Sequence, residues 1–296
     1  RRQRVEEFTV VYTARNLRRD GVSLHYIDEG QGPVVLLLHG FPNSMHVWRH
    51  QVPALLDAGY RVIAVDNRGM GRSDAPVDVD AYALREIVAD LVAILDACSV
   101  ERLAVVGHDW GALIAWVLVD SIGDRVTCFV PLSVGPPQCY AECDDIRQKE
   151  MGWYTLMFQM EGAAEEMLMA RDWKLFRQWA RDHSETEHWI SQLSRDGRLT
   201  ASLNIYRANV LPLLSGDIRS ASRAPTLGLW SGGDFYLCEE QMVAAGRFVH
   251  ADWRYEKVDQ ATHWMMLDRP AHISRLLVNH LGQYHPVPAL SADSSG

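Results

Sequence analysis

The sequence predicts an α/β domain in which helices flank a mostly parallel central sheet and a helical insertion interrupts it. Two observations predict this class. In both halves of the chain, short runs rich in Val, Leu and Ile alternate with segments of helical periodicity, which is typical of a parallel sheet covered by helices. Between the halves, residues 137–215 are rich in Met, Trp, Glu and Arg and show no strand-like pattern. A length of 296 residues suits one large domain with an insertion.

The individual elements follow from periodicity and from breaker residues. In chain order, the predicted strands cover residues 34–38, 62–65, 103–106, 126–132, 226–230 and 253–258. The predicted helices outside the insertion cover residues 45–58, 82–98 and 270–281. We therefore expect a core of residues 1–136 and 216–284, a helical lid at 137–215, and a disordered tail at 285–296.

Composition and charge exclude several classes of protein. The net charge is −9 and the basic residues cluster only at Arg1, Arg2 and Arg4, which we interpret as a frayed terminus, so nucleic acid is not expected as a partner. The five cysteines form no C-x-x-C pair, which favours free thiols in a reducing cytoplasm over a metal site or a disulfide framework. The apolar runs are too short to span a bilayer, and no secretory signal is evident. The sequence also leaves open whether the protein forms a homodimer.

The strongest local motif is the pentapeptide GHDWG at residues 107–111, which follows a predicted strand and precedes a helical segment. It has the G-x-Nu-x-G pattern of a nucleophile elbow, with Asp109 where many hydrolases carry serine. The flanking glycines allow a sharp turn without Cβ clashes, and the N–H groups at the helix N-terminus favour a negative charge. Taken alone, the motif also fits a plain strand–turn–helix in which Asp109 caps the helix.

A second motif, HGFP at residues 39–42, ends another predicted strand. In hydrolases with such an elbow, the loop after this strand supplies one N–H group of the oxyanion hole, and the residue after the nucleophile supplies the other. The candidate donors are therefore the backbone N–H groups of Phe41 and Trp110.

The same architecture orders the catalytic residues along the chain as nucleophile, acid and histidine. Asp234 follows the strand predicted at 226–230, and His263 follows the strand predicted at 253–258. Asp234 would hold the His263 ring in one tautomer and stabilise its charged form. Asp259 and Asp268 compete for this role, but they are too close in sequence to His263 for the usual geometry between two loops.

An aspartate nucleophile restricts the chemistry. A carboxylate that displaces a leaving group from a saturated carbon forms an alkyl ester, and water that His263 deprotonates can attack the carbonyl of that ester. Serine would form an ether, which has no carbonyl to hydrolyse. The substrate is thus narrowed to epoxides or alkyl halides, and no cofactor is implied because the chemistry needs only water.

Tyrosines in the predicted lid bear on the choice between these substrates. An epoxide leaves as an alkoxide and benefits from a neutral acid such as tyrosine, whose ordinary pKa is about 10. A halide is already a stable anion and needs only N–H donors. The predicted lid contains Tyr140, Tyr154 and Tyr206, and chemistry alone does not choose among them.

Over residues 22–281 the sequence resembles the epoxide hydrolases of the α/β-hydrolase fold superfamily. The matching segments are HGFPNSMHVWRHQVPAL at 39–55, AVDNRGMGRSDAP at 64–76, VVGHDWGA at 105–112, and the regions of Asp234 and His263. Haloalkane dehalogenases share these core motifs, so the core identifies the superfamily and not the substrate. The resemblance implies an α/β-hydrolase fold with an inserted helical lid.

The predicted lid carries the more discriminating matches. YTLMFQ at 154–159 resembles the family's Y-x-x-x-F-Q, and LNIYR at 203–207 resembles the segment with a second tyrosine. The resemblance implies that Tyr154 and Tyr206 contact the epoxide oxygen and that Tyr140 is a packing residue.

Two positions depart from the family pattern. Ile205 stands where an aromatic residue is common, and Thr262 stands where glycine often precedes the histidine. Either departure would reshape the pocket, but neither removes a catalytic group.

Together these observations predict an enzyme that converts an apolar small-molecule epoxide and water to a vicinal diol. A haloalkane dehalogenase with the same triad is the alternative. Many dehalogenases carry a halide-binding Asn after His-Gly, where this chain has Phe41, and others place the acid where it has Ser133. A remote alternative is a ligand-binding protein on this fold that lacks catalysis.

Overall fold

The central sheet of this protein, as a computed structural model describes it over residues 12–288, has eight strands. The strands are β1 (Ala14–Arg19), β2 (Val22–Glu29), β3 (Val34–Leu38), β4 (Arg61–Val65), β5 (Leu103–His108), β6 (Val126–Leu132), β7 (Thr226–Gly233) and β8 (Trp253–Thr262). Their spatial order is β1-β2-β4-β3-β5-β6-β7-β8. β2 pairs with β1 and β4 in antiparallel orientation, and all other pairs are parallel. The predicted mostly parallel sheet is confirmed.

Helices connect these strands. They are α1 (Gln51–Asp57), α2 (Leu84–Ala97), α3 (Trp110–Ser121), α4 (Pro137–Ala141), α5 (Ile146–Met151), α6 (Trp153–Met157), α7 (Ala163–Trp179), α8 (Thr186–Leu193), α9 (Arg198–Leu214), α10 (Glu239–Val243), α11 (Met265–Asp268) and α12 (Pro270–Tyr284). Between β6 and β7, where every residue is described, the regular elements are α4–α9, which we call the inserted helices. A kink at residues 170–173 divides α7. None of the helices within residues 12–288 has both the length and the apolar composition that a membrane crossing requires.

The strand order places two loops side by side at one edge of the sheet. The chain passes from β3 to β4 on one side of β3, and β5 then pairs with the other side of β3. Ligands of α/β proteins bind at such a reversal, beyond the carboxyl ends of the strands. Every residue of β3 and β5 is buried, which explains why both strands are continuous apolar runs. The HGFP loop after β3 and the GHDWG turn after β5 therefore meet at this edge.

The strands β1 and β2 were not predicted from the sequence, because β1 has only Ala14 and Leu17 as apolar residues and the alternation of Val22, Leu24 and Tyr26 in β2 is short. β1 lies at the edge of the sheet with mostly exposed, charged residues, as is common for edge strands. β2 contains buried polar residues whose partners are distant in sequence: Asp28 accepts two hydrogen bonds from Arg61 at 2.7 and 2.8 Å, and His25 pairs with Asp66 at 2.9 Å. These contacts form only when the chain folds.

The helix predicted at 45–58 is two separate pieces. Met45–Trp48 forms a short 3₁₀ helix, and α1 begins only at Gln51. Pro53 explains the break, because it lacks an N–H group and would clash in the interior of one continuous helix. In the observed arrangement it lies in the first turn of α1, where its missing N–H is no loss.

We expected residues 285–296 to be disordered, but the first of them is ordered. His285 is buried, with its Nε2 3.0 Å from the carbonyl oxygen of Val34 and its Nδ1 2.8 Å from Oγ1 of Thr127. The expectation is wrong for His285, whose ring is held against the sheet. Residues 289–296, and the arginines expected in a frayed N-terminus, lie outside the described residues.

The close contact between α3 and β3 leads to a stability prediction. A Cβ at Gly111 would collide with the carbonyl oxygen of Leu38, whereas a Cβ at Gly282 in α12 meets no atom within 4 Å. We expect Gly111→Ala to lower the free energy of unfolding by about 2–3 kcal/mol, because overpacking strains the backbone. Gly282→Ala is the control and should raise it by about 0.5–1 kcal/mol. Urea denaturation measures both, and equal stability of the two variants would contradict the packing described here.

Candidate active site

Asp109 occupies the turn between β5 and α3. Its backbone is strained, with φ 56° and ψ −125°, in a region that non-glycine residues rarely adopt and that occurs at functional sites. Its carboxylate makes no side-chain cap of α3. Oδ1 accepts a hydrogen bond of 2.8 Å from the backbone N–H of Phe41. The geometry thus matches the elbow interpretation and not the simple helix-cap alternative.

The loop that carries Phe41 is held by two hydrogen bonds, both of which Asn67 donates to His39. The side-chain amide of Asn67 donates to the carbonyl oxygen of His39 at 2.9 Å, and the backbone N–H of Asn67 donates to Nε2 of His39 at 3.1 Å. A Cβ at Gly40 would collide with the side chain of Asp109. The missing side chain of Gly40 is therefore what lets the Phe41 N–H approach the carboxylate.

His263 follows β8 directly and lies between two carboxylates. Its Nδ1 is 2.8 Å from Oδ2 of Asp234, and its Nε2 is 3.5 Å from Oδ2 of Asp109. The carboxylate of Asp234 is completely buried, and its Oδ1 accepts hydrogen bonds from the N–H groups of Tyr236 and Leu237 at 2.8 and 3.1 Å. The structure therefore brings the three predicted triad residues together.

The two competing acids do not face the His263 ring. Asp259 is exposed. Asp268 accepts hydrogen bonds from the N–H and O–H of Thr262 at 2.7 and 2.6 Å and pairs with His183 at 3.1 Å. Only Asp234 among the three is in contact with Nδ1 of His263.

The proximity of the two carboxylates determines the charge of His263. Burial alone would lower the pKa of this imidazole, but the charges and hydrogen bonds of Asp234 and Asp109 raise it to about 10. Burial likewise opposes the charged form of Asp109, yet His263 and the N–H of Trp110 hold the pKa of that carboxyl below its usual range. At neutral pH the site therefore holds a charged Asp109 beside a protonated His263.

A second histidine, His108, supports the backbone of His263. Its Nε2 lies 2.9 Å from the carbonyl oxygen of His263. Burial and the nearby charge of His263 lower the pKa of His108 to about 3, so its ring is neutral. We conclude that Nε2 carries the proton of the neutral ring and donates a hydrogen bond to that carbonyl oxygen.

The two lid tyrosines of the sequence prediction come from different inserted helices and lie next to each other. Tyr154 in α6 and Tyr206 in α9 are buried, with ring centroids 6.0 Å apart. The Tyr206 ring is 5.0 Å from that of Trp110 and 5.5 Å from that of Phe41. Burial and the charge of Asp109 raise the pKa of both hydroxyls well above 10. Both tyrosine hydroxyls are therefore neutral at neutral pH.

Tyr140 is half-buried. Burial raises the pKa of its hydroxyl, which bonds to the side chain of Thr155. Thr155 follows Tyr154 in α6, and Tyr140 lies in α4, so this contact joins two of the inserted helices. The interpretation of Tyr140 as a packing residue stays a prediction.

Sequence reasoning missed Tyr236, whose buried ring lies 4.9 Å from that of His263. Its N–H binds Asp234, and its O–H donates to the carbonyl oxygen of Trp179 at 2.6 Å. Tyr236 thus joins the loop of the acid to the inserted helices. The only signal in the sequence was an aromatic residue two positions after Asp234, which by itself indicates packing.

A cleft of about 610 Å³ leads towards this site between the inserted helices and the loop after β7. It is lined by Glu150, Met151, Trp153, Tyr154, Leu175, Gln178, Trp179, Arg181, Asp234, Phe235 and Tyr236. Asp109 and His263 lie behind this surface and are buried. Most of the lining is apolar or aromatic, which suits a ligand with an apolar body. Within residues 12–288, no group of three or more His, Cys, Asp or Glu side chains is arranged to hold a metal ion.

Comparisons with known proteins agree on one family. The model of the alpha/beta hydrolase fold family matches residues 33–270. The chain is 30% identical to epoxide hydrolase A of Mycobacterium tuberculosis over 321 aligned residues, covering 91% of this chain and 97% of that protein. It is 29% identical to epoxide hydrolase 3 of Xenopus tropicalis over 284 residues, covering 90% of this chain and 76% of that protein.

Solved structures give the same result. The crystal structure of epoxide hydrolase A from Mycobacterium thermoresistibile matches with a TM-score of 0.75 and 28% identity, covering 95% of this chain and 100% of that one. An epoxide hydrolase of Bacillus megaterium matches with a TM-score of 0.80 at 21% identity, covering 90% of this chain and 100% of that one. The second likeness is one of fold alone.

The charge arrangement predicts how His263 titrates. Its pKa is raised from 6.5 to about 10 on folding, so its protonated form contributes stability that is fully present below pH 6.5 and is lost as the pH rises through about 10. NMR titration of the imidazole should find it protonated at pH 8. In Asp109→Asn the pKa should fall, because one of the two neighbouring negative charges is gone.

Asp259→Asn is the matched control, since that carboxylate is exposed and does not face the ring. It should leave the titration of His263 unchanged. A wild-type ring that titrates near pH 6.5, or equal effects of the two substitutions, would contradict the charge arrangement.

Proposed function

The chain belongs to the α/β-hydrolase fold family, as its motifs predicted, and on that basis we propose that it is an epoxide hydrolase. It would convert an epoxide and water to a vicinal diol through a covalent ester on Asp109. The observation that carries this proposal is the carboxylate of Asp109, which accepts a hydrogen bond from Phe41 at 2.8 Å and lies 3.5 Å from the ring of His263. The similarity to proteins named epoxide hydrolases supports it.

In the first step, Oδ of Asp109 attacks one ring carbon of the epoxide, and the C–O bond of that carbon breaks. The electron pair of the broken bond passes to the epoxide oxygen, which takes a proton from Tyr154 or Tyr206. Their raised pKa values keep both hydroxyls neutral, so a proton is available for the alkoxide. Asp109 becomes a neutral ester.

This loss of charge prepares the second step. The pKa of His263 is high because two carboxylates face it, so ester formation on Asp109 removes one cause and lowers that pKa. His263 can then return a proton to the tyrosinate and become a neutral base. The deprotonated ring is the form that the hydrolysis requires.

In the second step, His263 removes a proton from water, and the resulting hydroxide attacks the ester carbonyl. The N–H groups of Phe41 and Trp110 would stabilise the oxyanion, and Asp234, 2.8 Å from Nδ1, would stabilise the protonated ring. Collapse of the intermediate breaks the bond between the carbonyl carbon and the substrate oxygen. That oxygen takes the proton of the hydroxyl group that water added, and the diol is released. Asp109 is then again a carboxylate beside a protonated His263.

The inserted helices would cover the substrate and control its access to Asp109. We interpret residues 137–215 as a lid, because α6 and α9 carry the two tyrosines over Asp109. The cleft of about 610 Å³, most of whose lining residues are apolar or aromatic, supports an epoxide with an apolar body as substrate. Opening of the lid near Trp179 and Tyr236 would admit it to the buried nucleophile.

The proposal is tested with His263→Gln, which should form the ester but not hydrolyse it. After incubation with styrene oxide, intact-mass analysis should find one substrate mass added, and peptide mapping should locate it on Asp109. A parallel incubation with 1-bromobutane should give no adduct. An adduct from the bromoalkane alone would replace the proposal with a dehalogenase, and His263→Gln with Asp109→Asn is the matched negative control.

The role of the tyrosines is tested separately. Tyr154→Phe combined with Tyr206→Phe removes both proton donors and should slow epoxide opening by about 100-fold or more, the contribution typical of general acid catalysis. Rapid-quench measurement of ester formation gives this rate directly. Tyr140→Phe is the control and should keep the wild-type rate, while near-normal turnover in the double variant would show that both tyrosines only pack.

A further inference from the structure

Thr262 connects the catalytic histidine to a carboxylate outside the triad. It immediately precedes His263, and both its N–H and its O–H donate to Oδ2 of Asp268, at 2.7 and 2.6 Å. The Thr262 hydroxyl oxygen also accepts a hydrogen bond of 3.3 Å from the N–H of Trp264. The residues on both sides of His263 are therefore held by one hydroxyl group, which a glycine at this position would lack.

The other oxygen of Asp268 binds the inserted helices. Its Oδ1 lies 3.1 Å from Nε2 of His183, in the turn between α7 and α8. Nδ1 of His183 accepts a hydrogen bond of 3.2 Å from the N–H of Glu185, so the proton of the neutral ring is on Nε2 and is donated to Asp268. Each oxygen of this carboxylate thus binds a different part of the chain.

Neighbouring aromatic rings hold the His183 side chain in place, and hydrogen bonds keep the Asp268 carboxylate charged. The ring of His183 stacks on that of Trp189, with centroids 5.1 Å apart, and contacts that of Trp264 at 5.0 Å. Burial alone would raise the pKa of Asp268, but the hydrogen bonds from His183 and Thr262 hold it below its ordinary value. Asp268 is therefore a carboxylate at neutral pH and a strong acceptor for both neighbours.

We propose that Thr262 and Asp268 are positioning residues for the hydrolysis of the ester, and that His183 connects them to the inserted helices. In the proposed mechanism, attack by Asp109 involves no proton transfer to or from His263, so it depends less on where the ring points. Hydrolysis does, because Nε2 must abstract a proton from a water molecule next to the ester carbonyl, and small misplacements are costly in such steps. Loosening this connection should therefore slow the second step selectively.

The inference rests on the proposed function, and Thr262→Val tests it. Valine has nearly the shape of threonine but lacks the hydroxyl, whereas Thr262→Ser retains it. In a single turnover of styrene oxide, rapid quench and intact-mass analysis follow the appearance and the decay of the ester. For Thr262→Val we expect decay to slow roughly tenfold or more, the effect of losing a hydrogen bond to a charged group, with formation within about twofold of wild type. Thr262→Ser should behave as wild type.

Two outcomes would overturn the inference. One is wild-type decay of the ester in Thr262→Val, and the other is an equal slowing of formation and decay, which indicates a merely structural role. If Thr262→Val does not fold, His183→Leu and His183→Gln decide instead, because glutamine keeps a donor towards Asp268 and leucine does not. The proposed function fails separately, when His263→Gln forms no ester with styrene oxide.

Discussion

Two buried carboxylates, those of Asp109 and Asp234, lie on opposite sides of the His263 imidazole, with N–O distances of 3.5 and 2.8 Å. Buried charges are costly unless they are paired and hydrogen bonded. Here the imidazole pairs with both, and backbone N–H groups of Phe41 and Tyr236 bind the remaining oxygens at 2.8 Å each. Every one of these groups belongs to a loop that follows a strand. The register of the sheet therefore determines the electrostatics of the site.

This arrangement gives the site two charge states with different chemistry. With Asp109 ionised, the pKa of His263 is about 10 and the ring is protonated, which leaves the carboxylate available as the proposed nucleophile. In the proposed ester, one neighbouring charge would be lost and the same ring would become a base. The buried tyrosines of the inserted helices would supply the acid that an epoxide oxygen needs. The order of the proposed steps thus follows from the disappearance of a single negative charge.

Much of the fold and of the site could be predicted because the relevant information is local in sequence. Buried parallel strands are continuous apolar runs, and Asp109 directly follows one. β1 and β2 escaped prediction because β1 has few apolar residues and the apolar alternation of β2 covers only Val22, Leu24 and Tyr26. The contact between Thr262 and Asp268 forms only in the folded chain, and the sequence marked one residue as a departure from a family pattern and the other as a competing acid. Tyr236 was missed because an aromatic residue in a loop has no pattern that distinguishes a site from packing.

In the proposed reaction, Asp109, and not water, attacks the substrate carbon. A single turnover with excess wild-type enzyme in water enriched in the heavy oxygen isotope distinguishes the two nucleophiles. If the ester forms and water attacks its carbonyl, mass spectrometry will find the heavy oxygen in the peptide that contains Asp109, and the diol will be unlabelled. Heavy oxygen in the diol together with an unlabelled Asp109 would show that water attacks the epoxide directly and that Asp109 is not the nucleophile.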